Sequence, residues 1–215
     1  MYSSTRGVED EGMALHPLWR PFAPGSNAVR QSQRVAHRQT EPGALRPHEE
    51  SWATDFDRVC RVIEAALPGG IHRLTHVGST AIPGVVAKPV IDIDLVVDDV
   101  SDEMTYVPQL EAAGFTLIFR DDMAGDPHRQ LTFAAPNTNL HVWSPSAVEP
   151  RRHELFAEWL VSHPEERQLY SDAKTAAAAD PSRRYNDAKA AVVYDIYERA
   201  FAADPLHEHT PQPRH

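Results

Sequence analysis

The stretch from Thr75 to Val97, THVGSTAIPGVVAKPVIDIDLVV, constrains the fold more than any other part of the chain. It links a short strand candidate to the best strand candidate in the sequence through a Gly-Ser turn, a Pro-Gly loop and one lysine. In the second strand Ile91, Ile93, Leu95 and Val97 alternate with Asp92, Asp94 and Val96. Apolar side chains therefore take one face, and the two aspartates share the other. Aspartate is depleted in strands, and like charges on one face repel unless something offsets them. Residues i and i+2 of a strand lie about 7 Å apart. Such a pair suits Mg²⁺, which takes hard oxygen ligands at roughly 2.0–2.1 Å. The competing reading is an edge strand with a solvated face.

Around this stretch the pattern alternates between helix and strand. Trp52, Phe56, Val59, Ile63 and Ala66 recur at three- and four-residue steps, which predicts an amphipathic helix closed by Pro68-Gly69-Gly70. A strand is expected over 71–77 and the aspartate strand over 90–97. Then come a helix over 101–113 with Gly114 as its C-terminal cap, a strand over 115–120, and a polar loop over 121–127. Strands over 129–135 and 139–144 form a hairpin, and helices follow over 151–162, 164–179 and 184–202. This order predicts an α+β (α/β) fold, a mixed β-sheet flanked by helices with a helical C-terminal part.

Residues 1–44, rich in Pro, Gly, Ser, Gln and Arg, are expected to be a disordered extension in which Leu18, Trp19 and Phe22 could dock. The folded domain is expected over 45–202, with its sheet part at 45–146 and its helical part at 147–202. Residues 203–215 read as a solvated tail despite His207, His209 and His215.

Charge narrows the partners. The net charge is −10, from 21 basic and 31 acidic residues, which argues against extended nucleic acid as a ligand. A small phosphorylated ligand needs only a local group of donors and stays open. Lys88, Lys174 and Lys189 are the only lysines among the basic residues, a bias that reads as a preference for arginine codons. No apolar run is long enough to cross a membrane, and the N-terminus lacks the order of a signal peptide. A cytoplasmic location is therefore expected. Cys60, the single cysteine, excludes an internal disulfide and a multi-cysteine zinc site.

Gly78-Ser79 after a strand lets backbone approach a ligand closely and offers N–H groups and a hydroxyl to phosphate. There is no Walker A loop and no G-x-G-x-x-G sequence, so neither a P-loop nor a Rossmann cofactor is supported. A strand, Gly-Ser, twelve residues, then Asp-x-Asp between hydrophobics resembles the signature of the nucleotidyltransferase fold. Residues 76–94, HVGSTAIPGVVAKPVIDID, further resemble the hallmark of the GrpB (UPF0157) family within that superfamily. The likeness continues through Asn139-Leu140-His141-Val142, Arg152-His153-Glu154-Leu155-Phe156, His163-Pro164-Glu165, Tyr170, Lys174 and Tyr185-Asn186-Asp187-Ala188-Lys189, and covers about 47–200.

The resemblance implies an Mg²⁺-dependent transfer of a nucleoside monophosphate from a nucleoside triphosphate to an acceptor. Asp92 and Asp94 would hold the metal. Gly78, Ser79, Thr80, Lys88, Tyr185 and Lys189 would contact nucleotide and phosphates. Where catalytic nucleotidyltransferases carry a third carboxylate, this sequence has His141, a candidate general base or nitrogen ligand. The alternative is a non-catalytic module that binds a nucleotide or a coenzyme A-related ligand. His153 and His163 are expected at the surface, and most charges of the C-terminal helices, Arg152 and Lys174 included, are expected to be solvated.

Overall fold

The computed structural model describes residues 13–21, 30, 33–123, 125–180, 182 and 184–212. Five strands form one mixed sheet in the order β1-β2-β5-β4-β3. They are β1 (Arg73–Val77), β2 (Ile91–Val96), β3 (Thr116–Met123), β4 (Asp126–Phe133) and β5 (Thr138–Trp143). β1 runs antiparallel to β2, β2 pairs in parallel with β5, and β5, β4 and β3 follow as antiparallel neighbours. The helices are α1 (Ser51–Ala66), α2 (Val107–Ala112), α3 (Glu149–Ser162), α4 (Pro164–Ala179) and α5 (Tyr185–Ala202).

The alternation seen in the sequence decides which face does what. Ile91, Ile93 and Leu95 of β2, Leu140 and Val142 of β5, Leu131 of β4 and Leu117 of β3 are buried against Trp52, Val59 and Ile63 of α1 and Val107 and Leu110 of α2. Each fully buried aliphatic side chain contributes about 1.5–3 kcal/mol, so this face carries most of the sheet's stability. A second apolar cluster, built on Ile82, Val85, Phe156, Leu160, Tyr170, Ile196, Tyr197 and Phe201, fixes α3, α4 and α5 to one another. Asp92 and Asp94 therefore lie on the face opposite α1, beneath the C-terminal helices.

Three expectations need correction. The polar loop at 121–127 is instead the end of β3 and the start of β4, paired up to Met123 and Asp126. Asp121 is buried by partners described below, while Asp122 is exposed and accepts the Gly125 N–H at 2.7 Å. The helix at 101–113 is shorter, a 3₁₀ turn at Glu103–Thr105 followed by α2. The disordered extension is tied down over its described residues. Trp19 is buried on Tyr194 and Phe201 of α5, Arg34 bridges to Phe119 of β3, and Arg46 bridges to Ala87. The expected docking of Phe22 lies outside the described residues.

The C-terminal residues pack against the same segment. Thr210 N–H donates to the Ala14 carbonyl at 2.7 Å, and His209 pairs with Glu198. Among the described residues His16, Asp204 and His207 are the one set of three potential metal-ligating side chains with mutually close ligand atoms. His16 Nδ1 accepts the Leu18 N–H, so its proton sits on Nε2 and is donated to Asp204. That leaves no lone pair on His16 for an ion, and the trio ties the described N-terminal residues to the segment after α5. Among the described residues no helix is long and apolar enough to cross a membrane.

Candidate active site

The site begins at the Gly-Ser turn. Gly78 has φ +69°, a conformation that side chains rarely adopt, and a Cβ there would meet Asp92 Oδ2 at 2.6 Å. Glycine is thus required twice, by backbone angle and by the approach of the carboxylate. Ser79 Oγ lies 3.2 Å from the Tyr170 hydroxyl of α4. Thr80, expected to contact phosphate, is buried. Its hydroxyl donates to the Val90 carbonyl at 3.2 Å and lies 3.0 Å from His76 Nε2, so it braces the loop from inside.

The register of the sheet places the next groups. Asp92 stands beside Asn139, and Asp94 beside His141. Asn139 Nδ2 donates to Asp92 Oδ1 at 2.8 Å, and His141 Nε2 lies 3.8 Å from the same oxygen. Burial disfavours the Asp92 charge, but His141 and Asn139 outweigh it and hold the carboxyl below the usual range. Asp94 is more enclosed, its side chain 1% exposed. Its two oxygens accept from Trp143 Nε1 and His153 Nδ1, each at 2.8 Å. Burial again opposes its charge, and His153 and Trp143 overcome it. His153 is raised in turn, since Asp94 outweighs the burial that would lower it. The surface placement expected for His153 is therefore wrong: a histidine one turn into α3 reaches down to the aspartate strand. His163 is not free at the surface either, stacking on Trp159 with Nδ1 2.8 Å from that residue's carbonyl.

Behind His141 runs a relay. His128 Nδ1 contacts Asp121 Oδ1, and His128 Nε2 lies 3.0 Å from His141 Nδ1. Burial pushes His128 down to about 4, so it is neutral. Asp121 is kept ionised because His128 and Arg30 outweigh its burial. The ionised Asp121 must take the Nδ1 proton of His128. His128 Nε2 can then only accept, and His141 Nδ1 must donate. His141 Nδ1 is thereby committed to His128, and its Nε2 faces Asp92.

Above these groups opens a cavity of about 640 Å³. All three lysines of the chain line it, Lys88 before β2, Lys174 on α4 and Lys189 on α5. Lys88 Nζ lies 4.1 Å above the Tyr185 ring, Lys174 Nζ 5.1 Å from the Tyr170 ring, and Lys189 Nζ within 6 Å of both. Among the described residues none of the three is ion-paired with a carboxylate. Lys174, expected to be solvated, is buried; desolvation, reinforced by Lys189, brings it down to about 7. Burial and Lys189 lower Lys88 as well. Arg30, Arg34, Arg38 and Arg184 add to the lining, and Asp92 is the only carboxylate on it among the described residues. The scarcity of lysine thus has a spatial counterpart, since the few present all converge on one cavity. Arg152 differs: it is buried against Glu149 and the Tyr197 ring and serves packing.

Two buried polar atoms at the cavity lack hydrogen-bond partners among the described residues, Asn139 Oδ1 and the Tyr185 hydroxyl. The first lies beside Asp92. An orphaned carbonyl oxygen next to an ionised carboxylate fits the oxygen donors that Mg²⁺ takes. Sequence reasoning missed Trp143 and the arginines. Trp143 was within reach, because Asn139, His141 and Trp143 alternate onto one face of β5.

Fold and site together define a mixed α/β domain with a carboxylate floor under a cation-lined cavity. The chain belongs to the GrpB family: the family model described as "GrpB protein" matches residues 42–199. It is 37% identical over 196 residues to a UPF0157 protein of Halalkalibacterium halodurans, covering 85% of this chain and 98% of that one. It is 30% identical over 209 residues to a dephospho-CoA kinase of Mycobacterium tuberculosis, covering 82% of this chain and 51% of that enzyme. Among solved structures, the conserved protein GrpB from Enterococcus faecalis superposes with a TM-score of 0.65 at 20% identity, covering 74% of this chain and 97% of that one.

Proposed function

We propose that this protein is a nucleotidyltransferase-like enzyme that transfers a nucleoside monophosphate from a nucleoside triphosphate to an acceptor. The observation that carries this reading is the placement of Lys88, Lys174 and Lys189 above Asp92 in a chain of net charge −10. Three lysines without carboxylate partners among the described residues, gathered in one cavity, are costly to charge unless an anion completes them. A triphosphate beside the Gly78-Ser79 turn is such an anion.

Asp92 and Asn139 Oδ1 would hold Mg²⁺, with Asp94 behind them as the second carboxylate. The ion, when bound, would neutralise charge on the phosphate oxygens. The chain's own groups do the rest. Gly78 and Ser79 present backbone N–H and hydroxyl to the phosphates. Lys88 and Lys189 hold the β and γ groups, and Tyr185 lies against both lysines. The acceptor oxygen bonds to the α-phosphorus as the α–β anhydride bond breaks and pyrophosphate leaves. The acceptor's proton passes to His141 Nε2, the nitrogen that faces Asp92. The test is pyrophosphate release from Mg²⁺ and a panel of nucleoside triphosphates with candidate acceptors. Release by the wild type that Asp92→Asn abolishes supports the enzyme; no release by either, despite binding, removes it.

A second reading has its own observation. His141 stands beside Asp94, and the resemblance matches it to the place where catalytic nucleotidyltransferases carry a carboxylate, so the same cavity could hold a nucleotide or a coenzyme A-related ligand without turnover. Similarity to the region of a dephospho-CoA kinase is in keeping with such a binding role.

A further inference from the structure

The lysines account for one end of the cavity, and the arginines stand at the other. Arg34 and Arg38 belong to the segment laid across the β3 side of the sheet. The Arg34 guanidinium lies 4.5 Å over the Phe119 ring, and Arg38 Nη2 donates to Asn137 Oδ1 at 2.7 Å. Arg34 also donates to the Ala36 carbonyl, and Arg30 shares the Phe119 ring at 4.6 Å and pairs with Asp121 and Gln130. Phe119 is three strands from Asp94, the neighbour of Asp92 on the same face, and at about 4.8 Å per strand this separates Phe119 from Asp94 by roughly 14 Å. Between them, on the same face, lie His141 and Gln130, paired across β5 and β4.

Arg38 is anchored by neutral acceptors, Asn137 Oδ1 and the Thr40 carbonyl, which position it without neutralising it. The carboxylates it senses are Glu41, on its own segment, and Asp92. Arginine is the side chain suited to phosphate, because its planar fork donates two parallel hydrogen bonds. A triphosphate held over Asp92 by the lysines would engage the other end of the cavity.

We propose that Arg34 and Arg38 form a second anion subsite that receives a phosphate monoester on the acceptor, with the acceptor's reacting oxygen over His141. The inference rests on the nucleotidyl-transfer reading for the acceptor's role, while the subsite itself stands on the arginines. It narrows the acceptor to a phosphorylated small molecule.

The experiment uses the full chain, with α,β-methylene-ATP and Mg²⁺ at saturation to fill the lysine end and inorganic pyrophosphate titrated by calorimetry. One residual pyrophosphate site is expected. It should weaken at least tenfold in Arg34→Gln/Arg38→Gln, where glutamine keeps hydrogen-bond donors and so preserves the segment's anchoring, and persist in Lys88→Gln/Lys189→Gln. A folded arginine variant is verified by an unchanged melting temperature; if the double variant unfolds, Arg38→Gln alone is read in the same way. No residual site, or one indifferent to the arginines, overturns the proposal. If the analogue fails to bind while pyrophosphate still titrates an arginine-dependent site, the anion subsite stands and the nucleotide reading falls.

Discussion

Gly78 and Asp92 are packed so closely that a single added methyl at residue 78 would lie 2.6 Å from Asp92 Oδ2. The turn after β1 and the carboxylate of β2 are therefore one unit. Gly78→Ala combines that overlap with a φ of +69°. It should destabilise the protein by about 1–3 kcal/mol and displace the Asp92 carboxylate. Urea unfolding measures the first effect, and loss of Mg²⁺-nucleotide binding in the still-folded variant measures the second.

Lys174 makes a prediction of opposite sign for stability and binding. Its folded pKa of about 7 lies below the roughly 10.4 of an unfolded lysine. Between those values the unfolded state binds more protons, so this residue makes stability rise with pH from about 7 to about 10. Lys174→Met should remove that rise and leave the free protein at least as stable at pH 7, while weakening nucleotide about 10-fold or more through loss of a charged contact worth about 1.5–3 kcal/mol. Melting curves from pH 6.5 to 10 check the first claim and calorimetry the second. An anion beside Lys174 also restores its charge, so binding at pH 7.5 should take up protons, visible as a dependence of binding enthalpy on buffer.

The relay behind His141 is tested through its tautomer. Long-range ¹⁵N spectra of the free protein should show the His141 proton on Nδ1. In His128→Phe that preference should disappear, and stability should fall by about 1–3 kcal/mol because Asp121 loses a buried partner. A wild-type His141 protonated on Nε2 alone would contradict the assignment.

Trp19 checks the packing of the N-terminal segment. It is buried against Tyr194 and Phe201, so Trp19→Ala should cost about 3–5 kcal/mol. A change near zero would mean that this segment is not docked in solution.

The sheet was legible because period-two alternation survives in β2 and β5, where one face is apolar throughout. The aspartate pair came from the same pattern, the Gly-Ser turn from its place after a strand, and His141 from the resemblance to the nucleotidyltransferase family. Asp121 misled because a carboxylate with buried partners reads as a loop residue when those partners, His128 and Arg30, come from another strand and from the N-terminal segment. His153 was hidden for a related reason: it reaches Asp94 across 59 positions, and only the packing of α3 on the sheet brings it there. Trp19 and the arginine segment show the limit of composition, since a stretch rich in Pro, Gly and Arg can be ordered by contacts to a surface formed elsewhere.

The central claim is that Asp92 and the lysines form one Mg²⁺-nucleotide site, and thermal melting tests it most directly. With Mg²⁺ and a nucleoside triphosphate at about one hundred times the dissociation constant, the wild type should gain about 2.7 kcal/mol. At roughly 2–4 °C per kcal/mol for a chain of this size, melting should rise by about 5–10 °C. Asp92→Asn should lose the Mg²⁺-dependent part of that shift, and Lys88→Gln/Lys189→Gln should lose most of the whole. No shift with any nucleotide, or an equal shift in wild type and Asp92→Asn, would contradict the account.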